Sequence, residues 1–321
     1  MSPKTKFELK PGPATREAFG RALVELGREN KKVVVVDADL SKSTMTAYFA
    51  KEFPERFFSM GIAESNMVGV GAGLAMTGHI PFVASFSVFA MNKGFEQMRV
   101  CAAYGRSNLK VVGTHSGISI GEDGPSQMSV EEISLACSLV GFTVMAPADE
   151  ASTKALVRAA AAHDGPVFIR TGRPKAPMVY SADQKFEIGK AVQVVDGKDV
   201  TIIANGLLVA QAILASEILD GEGISARVID MHTVKPLDRD AIAKAAAETK
   251  AIVVAEEHLV DGGLGVRVAQ SAAESNPCVM EFVGIHDRYA ESGQPEELLE
   301  KYHLVAPDIA AAAHKAVSRK R

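Results

Sequence analysis

The sequence has no tryptophan, only three cysteines and no block of basic residues. Cys101, Cys137 and Cys278 are widely spaced in apolar contexts, and none stands near a histidine at a metal-ligand spacing. They therefore predict reduced thiols rather than a disulfide framework or a metal site. The formal net charge of -4, without a basic patch, argues against nucleic acid and anionic membrane surfaces as partners. An anionic ligand would have to be bound by a few local cationic groups.

Targeting segments and uninterrupted apolar runs are missing as well. The N-terminal segment lacks the apolar core of a signal peptide. The longest apolar stretch begins at Val200, is broken by Asn205 and Gly206, and carries Gln211 and Glu217. It predicts a buried strand, a turn and a helix rather than a membrane span. Together with the reduced thiols, these features predict a cytoplasmic protein.

No familiar catalytic or metal-binding pattern stands out. The sequence contains no CxxC, HExxH, Walker loop or EF-hand pattern, and no Ser-His-Asp order. Gly69, Gly71 and Gly73 do not complete a dinucleotide fingerprint, because the third glycine of G-x-G-x-x-G is missing. No metal ligand is therefore predicted on this chain.

Short β-branched runs alternate with helix-period segments along almost the whole chain. This alternation is typical of βα units, and 321 residues suffice for about two domains. A segment rich in proline, lysine and polar residues, 171–185, interrupts it and predicts a linker. We therefore predict an α/β fold of two domains, each a mostly parallel sheet flanked by helices. The predicted strands are 32–36, 80–85, 109–112, 143–145, 167–170, 192–195, 200–204, 226–230, 252–255 and 279–283, and the main helices are 65–76, 151–162 (N-capped by Asp149), 208–219, 240–247, 266–275 and 295–302.

One carboxylate, Glu64, is the only charge in the segment FFSMGIAESNMVGVGAGLA that begins at Phe57. It falls in the first turn of a predicted helix, where the helix dipole favours a carboxylate. The three glycines of that helix cost roughly 1 kcal/mol each against alanine, so another backbone or a ligand is expected to approach closely. Glu64 is then either a capping residue on a tightly packed helix or a functional acid.

Three further segments carry candidate residues. Phe86 and Phe89 lie three apart and would share a face in a helix or turn, as a core pair or as a platform for a flat heterocycle. The polar loop GTHSGISIGEDGPSQ follows a predicted strand, where ligands bind in α/β sheets. A solvated loop would explain its carboxylates but not its histidine and glycines together. Arg16, Arg170 and Arg173 are candidate anion clamps or ion pairs, and DGGLG at 261–265 is a candidate phosphate loop or a plain glycine turn.

With these segments assembled, the chain resembles the C-terminal half of transketolase, as found in split, two-subunit transketolases. The motifs that carry the resemblance are ATREAFG from Ala14, DADLSKST, FFSMGIAESNMVGVGAGLA, IPFVASFSVFA, GFEQMR, THSGISIGEDGPSQ, FIRTGRP, VKPLDR and EEHLVDGGLG. The resemblance covers nearly the whole chain. It implies a thiamine-diphosphate pyrimidine-binding domain, residues 1–180, followed by a transketolase C-terminal domain, residues 188–321.

The resemblance also implies roles for individual residues. In that family a glutamate at the position of Glu64 hydrogen-bonds N1′ of the cofactor's aminopyrimidine ring, which promotes loss of the C2 proton of the thiazolium ring. An apolar setting strengthens such a hydrogen bond. The implied cofactor-binding residues are Glu64, Phe86, Phe89 and Gln127, and the implied sugar-phosphate-binding residues are Arg16, Ser43, His115, Asp123 and Arg173.

One part of a complete transketolase is missing from this sequence: the GDG…N motif that holds Mg²⁺ and the cofactor's diphosphate. The resemblance therefore implies an N-terminal diphosphate-binding partner subunit that carries the Mg²⁺, most simply in an α2β2 assembly. Alternatives are the β subunit of a 2-oxo acid dehydrogenase decarboxylating component, another thiamine-dependent synthase, or a transketolase for a branched or sulfonated sugar phosphate. A non-catalytic partner subunit that kept the fold is an alternative from a different class.

Overall fold

The computed structural model describes residue 7 and residues 9–320. Within these residues the strands form a seven-stranded sheet, a five-stranded sheet and a two-stranded ribbon, and helices flank both sheets. The predicted α/β class is confirmed. In chain order the first half consists of β1 (Pro11–Ala14), α1 (Thr15–Glu29), β2 (Val33–Asp37), α2 (Ser41–Thr44), α3 (Ala47–Glu52), β3 (Phe57–Ser59), α4 (Glu64–Met76), β4 (Ile80–Phe86), α5 (Ser87–Gln97), β5 (Lys110–Thr114), α6 (Glu132–Ser138), β6 (Thr143–Met145), α7 (Glu150–Ala162), β7 (Val167–Arg170) and β8 (Lys175–Pro177).

The second half continues the alternation of strands and helices. Its elements are β9 (Val192–Val195), β10 (Val200–Ala204), α8 (Leu208–Gly221), β11 (Ala226–Asp230), β12 (Thr233–Lys235), α9 (Arg239–Thr249), β13 (Ala251–Leu259), α10 (Leu264–Glu274), β14 (Val279–Ile285), α11 (Pro295–Lys301) and α12 (Ala306–Ser318). Two short 3₁₀ helices, Pro54–Arg56 and Ile118–Asp123, and a π-helix, Met98–Tyr104, complete the described chain. Every predicted strand is present: five have the predicted bounds, and the other five have ends shifted by one to four residues.

The first sheet has the strand order β12-β6-β7-β5-β4-β2-β3. All of its pairs are parallel except β12 with β6. The carboxyl ends of β2, β4, β5 and β7 therefore meet at one edge, which is the edge where α/β sheets bind ligands. The segments that follow these four strands carry most of the predicted site residues.

The second sheet has the order β14-β13-β10-β11-β9, with only β9 antiparallel to its neighbour. The apolar stretch from Val200 forms β10, a turn and α8, as predicted. In the described part of the chain, no helix is both long and apolar enough to cross a membrane.

The predicted linker, 171–185, is only partly irregular. It contains β8, which pairs with β1 in an antiparallel ribbon, and Asp149 accepts hydrogen bonds at 2.9 Å from the backbone of Val179 and Tyr180 just beyond it. Asp149 also caps α7, as predicted, through a 2.9 Å bond from Ser152 N. Strands of three residues with prolines carry no periodic signal, which explains why β8 is missed. The predicted domain boundaries at 180 and 188 stay a prediction.

The glycines of α4 differ in what surrounds them. A Cβ on Gly71 would overlap Val83 of β4, so Gly71 lets the helix approach the sheet closely, as predicted. A Cβ on Gly69 or Gly73 would meet no atom within 4 Å. Those two positions therefore lie on an open face of the helix. The three cysteines are free, as predicted, and their side chains are half-buried.

Candidate cofactor and substrate site

Glu64 is the first residue of α4, and its side chain is only 3% exposed. No side chain caps this helix. Among the described contacts, the carboxylate's hydrogen-bonding and ionic partner is Lys93 of α5, whose Nζ lies 3.4 Å from Oε2 and 3.5 Å from Oε1. The Lys93 side chain is 51% exposed. A buried carboxylate whose partner is a half-exposed ammonium retains acceptor capacity for a ligand.

Phe86 and Phe89 lie at the junction of β4 and α5, and Phe89 shares the Lys93 ammonium with this carboxylate. Their rings stack, with centroids 5.7 Å apart and planes within 9° of each other, although Phe86 ends the strand and only Phe89 is helical. Phe86 is buried, whereas Phe89 is half-buried. Lys93, one helical turn after Phe89, holds its Nζ 4.7 Å from the Phe89 ring centroid. The aromatic pair and Glu64 are thus linked by one side chain.

His115 follows β5 and is buried, with a positive φ of 57° that is uncommon outside glycine. Its ring stacks on Phe86 with centroids 3.8 Å apart. Nδ1 lies 2.8 Å from Thr114 Oγ1, whose own hydroxyl donates to the Ser85 carbonyl. This network assigns the proton to Nδ1 and leaves Nε2 as an acceptor.

Arg16, in the first turn of α1, donates to that acceptor. Its Nη1 lies 2.9 Å from His115 Nε2 and 2.8 Å from the carbonyl oxygen of Ser43 in α2. Its Nε is buried and has no partner in the described chain. Burial and then the nearby Arg173 lower the pKa of the Arg16 guanidinium. Two neighbouring guanidinium groups and a buried unpaired N–H are chemically able to bind an anion.

Arg173 lies just past β7, opposite the 3₁₀ helix that carries Asp123. Its Nη1 donates to Glu122 Oε2 at 2.7 Å and to the Ile120 carbonyl. Asp123 is exposed, and its charge acts on Arg16. Gln127 is half-buried, and its Oε1 accepts a 2.7 Å bond from Ser126. The structure thus brings Arg16, Ser43 and His115 into direct contact and places Arg173 and Asp123 next to them.

The second half of the chain supports the loop that carries His115 and Asp123. Glu257, at the end of β13, is buried, and its Oε1 accepts a 2.7 Å bond from the backbone N–H of Ser119. A Cβ on Gly117 would overlap that carboxylate, and Gly117 has φ +81°. Burial raises the pKa of Glu257. The glycines of this loop are therefore explained in part by the close approach of an internal acid.

For two candidate anion sites from the sequence, Arg170 and DGGLG, the structure supports the alternative interpretation: an ion pair and a glycine turn. Arg170 is buried and is paired inside the protein, with Nε 2.5 Å from Glu132 Oε1 and Nη2 2.7 Å from the Glu257 carbonyl oxygen. In the DGGLG segment, the carboxylate of Glu256 accepts the N–H groups of Leu264 and Gly265 at 2.7 and 2.8 Å. An internal carboxylate thus occupies the start of α10, which would otherwise attract an external anion.

Two side chains of the site escape sequence reasoning. Lys93 stands among helix-period residues without a distinguishing spacing, and only the packing of α4 on α5 brings it to Glu64. Asp37, at the end of β2, accepts bonds from Thr44 and Thr46 at 2.8 and 2.9 Å and so orders the turn that carries Ser43. The segment DADLSKST is a possible signal for this turn, because aspartate commonly accepts hydrogen bonds from nearby hydroxyl and backbone groups.

The comparisons with known proteins agree with the architecture. The family model "Transketolase, pyrimidine binding domain" matches residues 11–178, and "Transketolase, C-terminal domain" matches residues 189–309. The chain belongs to the transketolase family. The predicted resemblance and the predicted fold are confirmed, and the matches favour transketolase over the 2-oxo acid dehydrogenase alternative.

Close relatives of this transketolase chain are themselves sections or subunits. A putative transketolase C-terminal section from Methanocaldococcus jannaschii is 44% identical, with 92% of this chain and 93% of that protein covered. A 6-deoxy-6-sulfo-D-fructose transketolase subunit from a Clostridium species is 40% identical, with 95% of each covered. A solved split gene transketolase, described as an inactive beta4 tetramer, aligns with a TM-score of 0.91 at 50% identity over 97% of this chain and 100% of that one. The chain spans about half of human transketolase, with 49% of that protein covered at 37% identity.

The neutral His115 of this transketolase chain predicts a specific pH dependence of stability. Burial, then Arg16 and Arg173, lowers the pKa of His115 to about 3. Below the unfolded pKa of about 6.5 the unfolded chain binds a proton that the folded chain does not, so stability falls as the pH falls, by up to about 1.4 kcal/mol per pH unit. Between pH 7 and pH 5 we expect wild type to lose about 2 kcal/mol more than His115→Gln. Urea titrations between pH 5 and pH 7 measure the free energy of unfolding, with the exposed His303→Gln as the control. If that free energy depends on pH equally in wild type and His115→Gln, the prediction is contradicted.

Proposed function

We propose that the chain is the C-terminal subunit of a thiamine-diphosphate-dependent transketolase that moves a two-carbon ketol unit from a ketose phosphate to an aldose phosphate. The observation that carries the proposal is one connected set of contacts: the buried Glu64 carboxylate is linked through Lys93 to Phe89, Phe89 stacks with Phe86, and Phe86 stacks with His115, which contacts Arg16. A carboxylate, a flat aromatic platform and a cationic cluster are the three groups that a pyrimidine cofactor and a phosphorylated substrate require.

The residues present fit the pyrimidine end of thiamine diphosphate. Glu64 offers carboxylate oxygens in a buried setting, Phe89 offers a half-buried ring, and Gln127 offers a half-buried amide in the loop after β5. Together with Phe86 these residues would hold the aminopyrimidine ring. When bound, thiamine diphosphate supplies an acidic ring carbon that carries the two-carbon unit between sugars. Glu64 would hold and move a proton at N1′ of the pyrimidine, and its burial strengthens that hydrogen bond.

The cationic cluster is assigned to the phosphate group of the sugar. Arg16 and Arg173 supply the positive charge, and Arg16 is fixed by His115 and by the Ser43 carbonyl. Because His115 is neutral, its Nε2 accepts a hydrogen bond from Arg16 and so orients the guanidinium group. A neutral His115 also adds no third positive charge to the cluster. Asp123 is exposed, and its carboxylate would accept a hydrogen bond from a sugar hydroxyl. A dianionic phosphate would balance the two guanidinium groups if it replaced Glu122 as the partner of Arg173.

The chain is proposed to act with an N-terminal subunit that binds the diphosphate and Mg²⁺. Among the described residues, no group of three or more metal-ligating side chains could hold a metal ion, and the sequence lacks the GDG…N motif. The relatives that are themselves a section or a subunit support a divided enzyme. An α2β2 assembly in the cytoplasm would place the cofactor between the two kinds of subunit.

Reconstitution tests this function. The chain is mixed with a candidate N-terminal subunit, thiamine diphosphate, Mg²⁺, xylulose 5-phosphate and ribose 5-phosphate, and sedoheptulose 7-phosphate is measured. Its formation supports the proposal, and a panel of branched and sulfonated ketose phosphates identifies a specialised donor. Decarboxylation of a 2-oxo acid without ketol transfer would favour the dehydrogenase alternative. No turnover with any donor, although the complex forms, would favour a non-catalytic subunit.

Arg173→Ala tests the phosphate assignment. We expect the KM for phosphorylated substrates to rise about 10-fold with little change in kcat, because a charge-assisted bond contributes about 1.5–3 kcal/mol and Arg173 is partly solvated. The KM for an unphosphorylated ketose should stay unchanged. Arg28→Ala, which removes another surface ion pair of the same sheet domain, is the control. Equal effects on both substrate classes would remove Arg173 from the phosphate site.

A further inference from the structure

Lys93 occupies the meeting point of the two groups assigned to the cofactor's ring. Its Nζ lies 3.4 and 3.5 Å from the two carboxylate oxygens of Glu64 and 4.7 Å from the centroid of the Phe89 ring. Paired aromatic rings have centroids about 4.5–7 Å apart. The ammonium therefore fills the space over Phe89 that a stacked ring needs, on the side where Glu64 would bond that ring.

We infer that Lys93 is a stand-in for the pyrimidine ring: its ammonium covers Phe89 and Glu64 in the empty site, and the cofactor must displace it to bind. This inference rests on the proposed function. It assigns Lys93 a role in setting cofactor affinity and in compensating the buried charge of Glu64 before the ring arrives. An uncompensated carboxylate at this depth would be costly.

The backbone of Lys93 is fixed, whereas its side chain is free to leave. Its carbonyl accepts a 2.6 Å bond from Ser65 Oγ, and a Cβ on the next residue, Gly94, would lie 2.9 Å from Val68 Cγ2. These contacts hold α5 against α4. The side chain is half-exposed and has four rotatable bonds, so it can swing into solvent without moving either helix.

The effect of Lys93 on cofactor affinity follows from the two contacts that its ammonium would lose, those with Glu64 and with Phe89. Ion pairs that reach solvent and exposed cation–π contacts are both weak, so the stand-in lowers cofactor affinity without blocking it. We expect removal of the ammonium to tighten binding of the ring by about 10-fold. Lys93→Met removes the charge and keeps the length of the stem, and Lys93→Arg keeps the charge.

The experiment measures binding rather than turnover. Dissociation constants are determined for thiamine and for its isolated aminopyrimidine half with the full-length chain by titration NMR, and for thiamine diphosphate with the reconstituted complex by equilibrium dialysis. Lys93→Met should bind about 10-fold more tightly than wild type, Lys93→Arg should match wild type, and Lys51→Met, an exposed lysine on α3, is the control for charge loss.

The outcomes separate this inference from the proposed function. Equal or weaker binding by Lys93→Met, when the wild-type complex does bind thiamine diphosphate, would overturn the stand-in role alone. Failure of both the wild-type and the Lys93→Met complexes to bind thiamine diphosphate would overturn the proposed function and this inference with it. Tighter binding by Lys93→Met supports both, since the same substitution would not open a site that has no ligand.

Discussion

Glu64→Gln should leave the chain folded and remove at least about 99% of ketol transfer by the reconstituted enzyme, a loss within the 10²–10⁴-fold range of general acid–base catalysis. Glutamine has nearly the same size and can still hydrogen-bond in the space beside Phe89. It cannot take up or release a proton, however, which is the task proposed for the buried carboxylate. The measurements are kcat for the complex and the urea midpoint of the isolated chain.

A second helix-opening glutamate provides the control. Glu150 begins α7 as Glu64 begins α4, but it lies away from the site and pairs with Lys154 at 2.8 Å. If Glu64 only stabilises the helix N-terminus, the two substitutions to glutamine should cost similar, small amounts of stability and leave turnover intact. Near-wild-type kcat in Glu64→Gln would therefore exclude the proton-transfer role.

Arg170→Met should lower the free energy of unfolding by about 3–5 kcal/mol, because breaking a buried pair leaves an uncompensated charge in the core. Arg170 is 5% exposed and is the cation between Glu132 and Glu257. Methionine fits the apolar part of the space but pairs with neither acid. Urea unfolding followed by circular dichroism measures the loss.

Arg158→Met is the control that removes an arginine whose ion pairs are exposed rather than buried. Arg158 bonds Glu25 and Glu29 at 2.7–2.9 Å, yet all three side chains are well exposed, so we expect a loss below about 1 kcal/mol. Combining Arg170→Met with Glu132→Gln should recover part of the loss, because one buried charge is removed. Equal losses for Arg170→Met and Arg158→Met would mean that the buried cluster contributes no more than a surface pair.

The layered fold could be predicted because each strand and helix carries its own periodic signal. β10 and α8, for example, are predicted from a single apolar stretch interrupted at Asn205 and Gly206. The short strands β1, β3, β8 and β12 are missing from the prediction, and two of them, β1 and β8, contain proline, which is unfavourable within a strand. Their pairing depends on segments far away in the sequence.

The site residues also differ in whether the local sequence could reveal them. The isolation of Glu64 in an apolar segment and the loop after β5 point to function from local sequence alone. Arg170 misleads because its partner carbonyl, on Glu257, lies 87 residues away in the second sheet. Lys93 gives no signal because its contact with Glu64 arises only when α5 packs on α4. The position of a charged side chain at a strand end therefore depends on the element that packs over it.

β12 comes from the second half of the chain but completes the sheet of the first, running antiparallel to β6. If the gene were divided between β8 and β9, the N-terminal fragment would lack β12, and β6 would become an edge strand with unpaired N–H and C=O groups. Such an edge promotes intermolecular association. The C-terminal fragment would carry β12 without the strand that β12 pairs with, β6. Some relatives are sections or subunits of a divided enzyme, but a division at this junction would require the two fragments to reassociate.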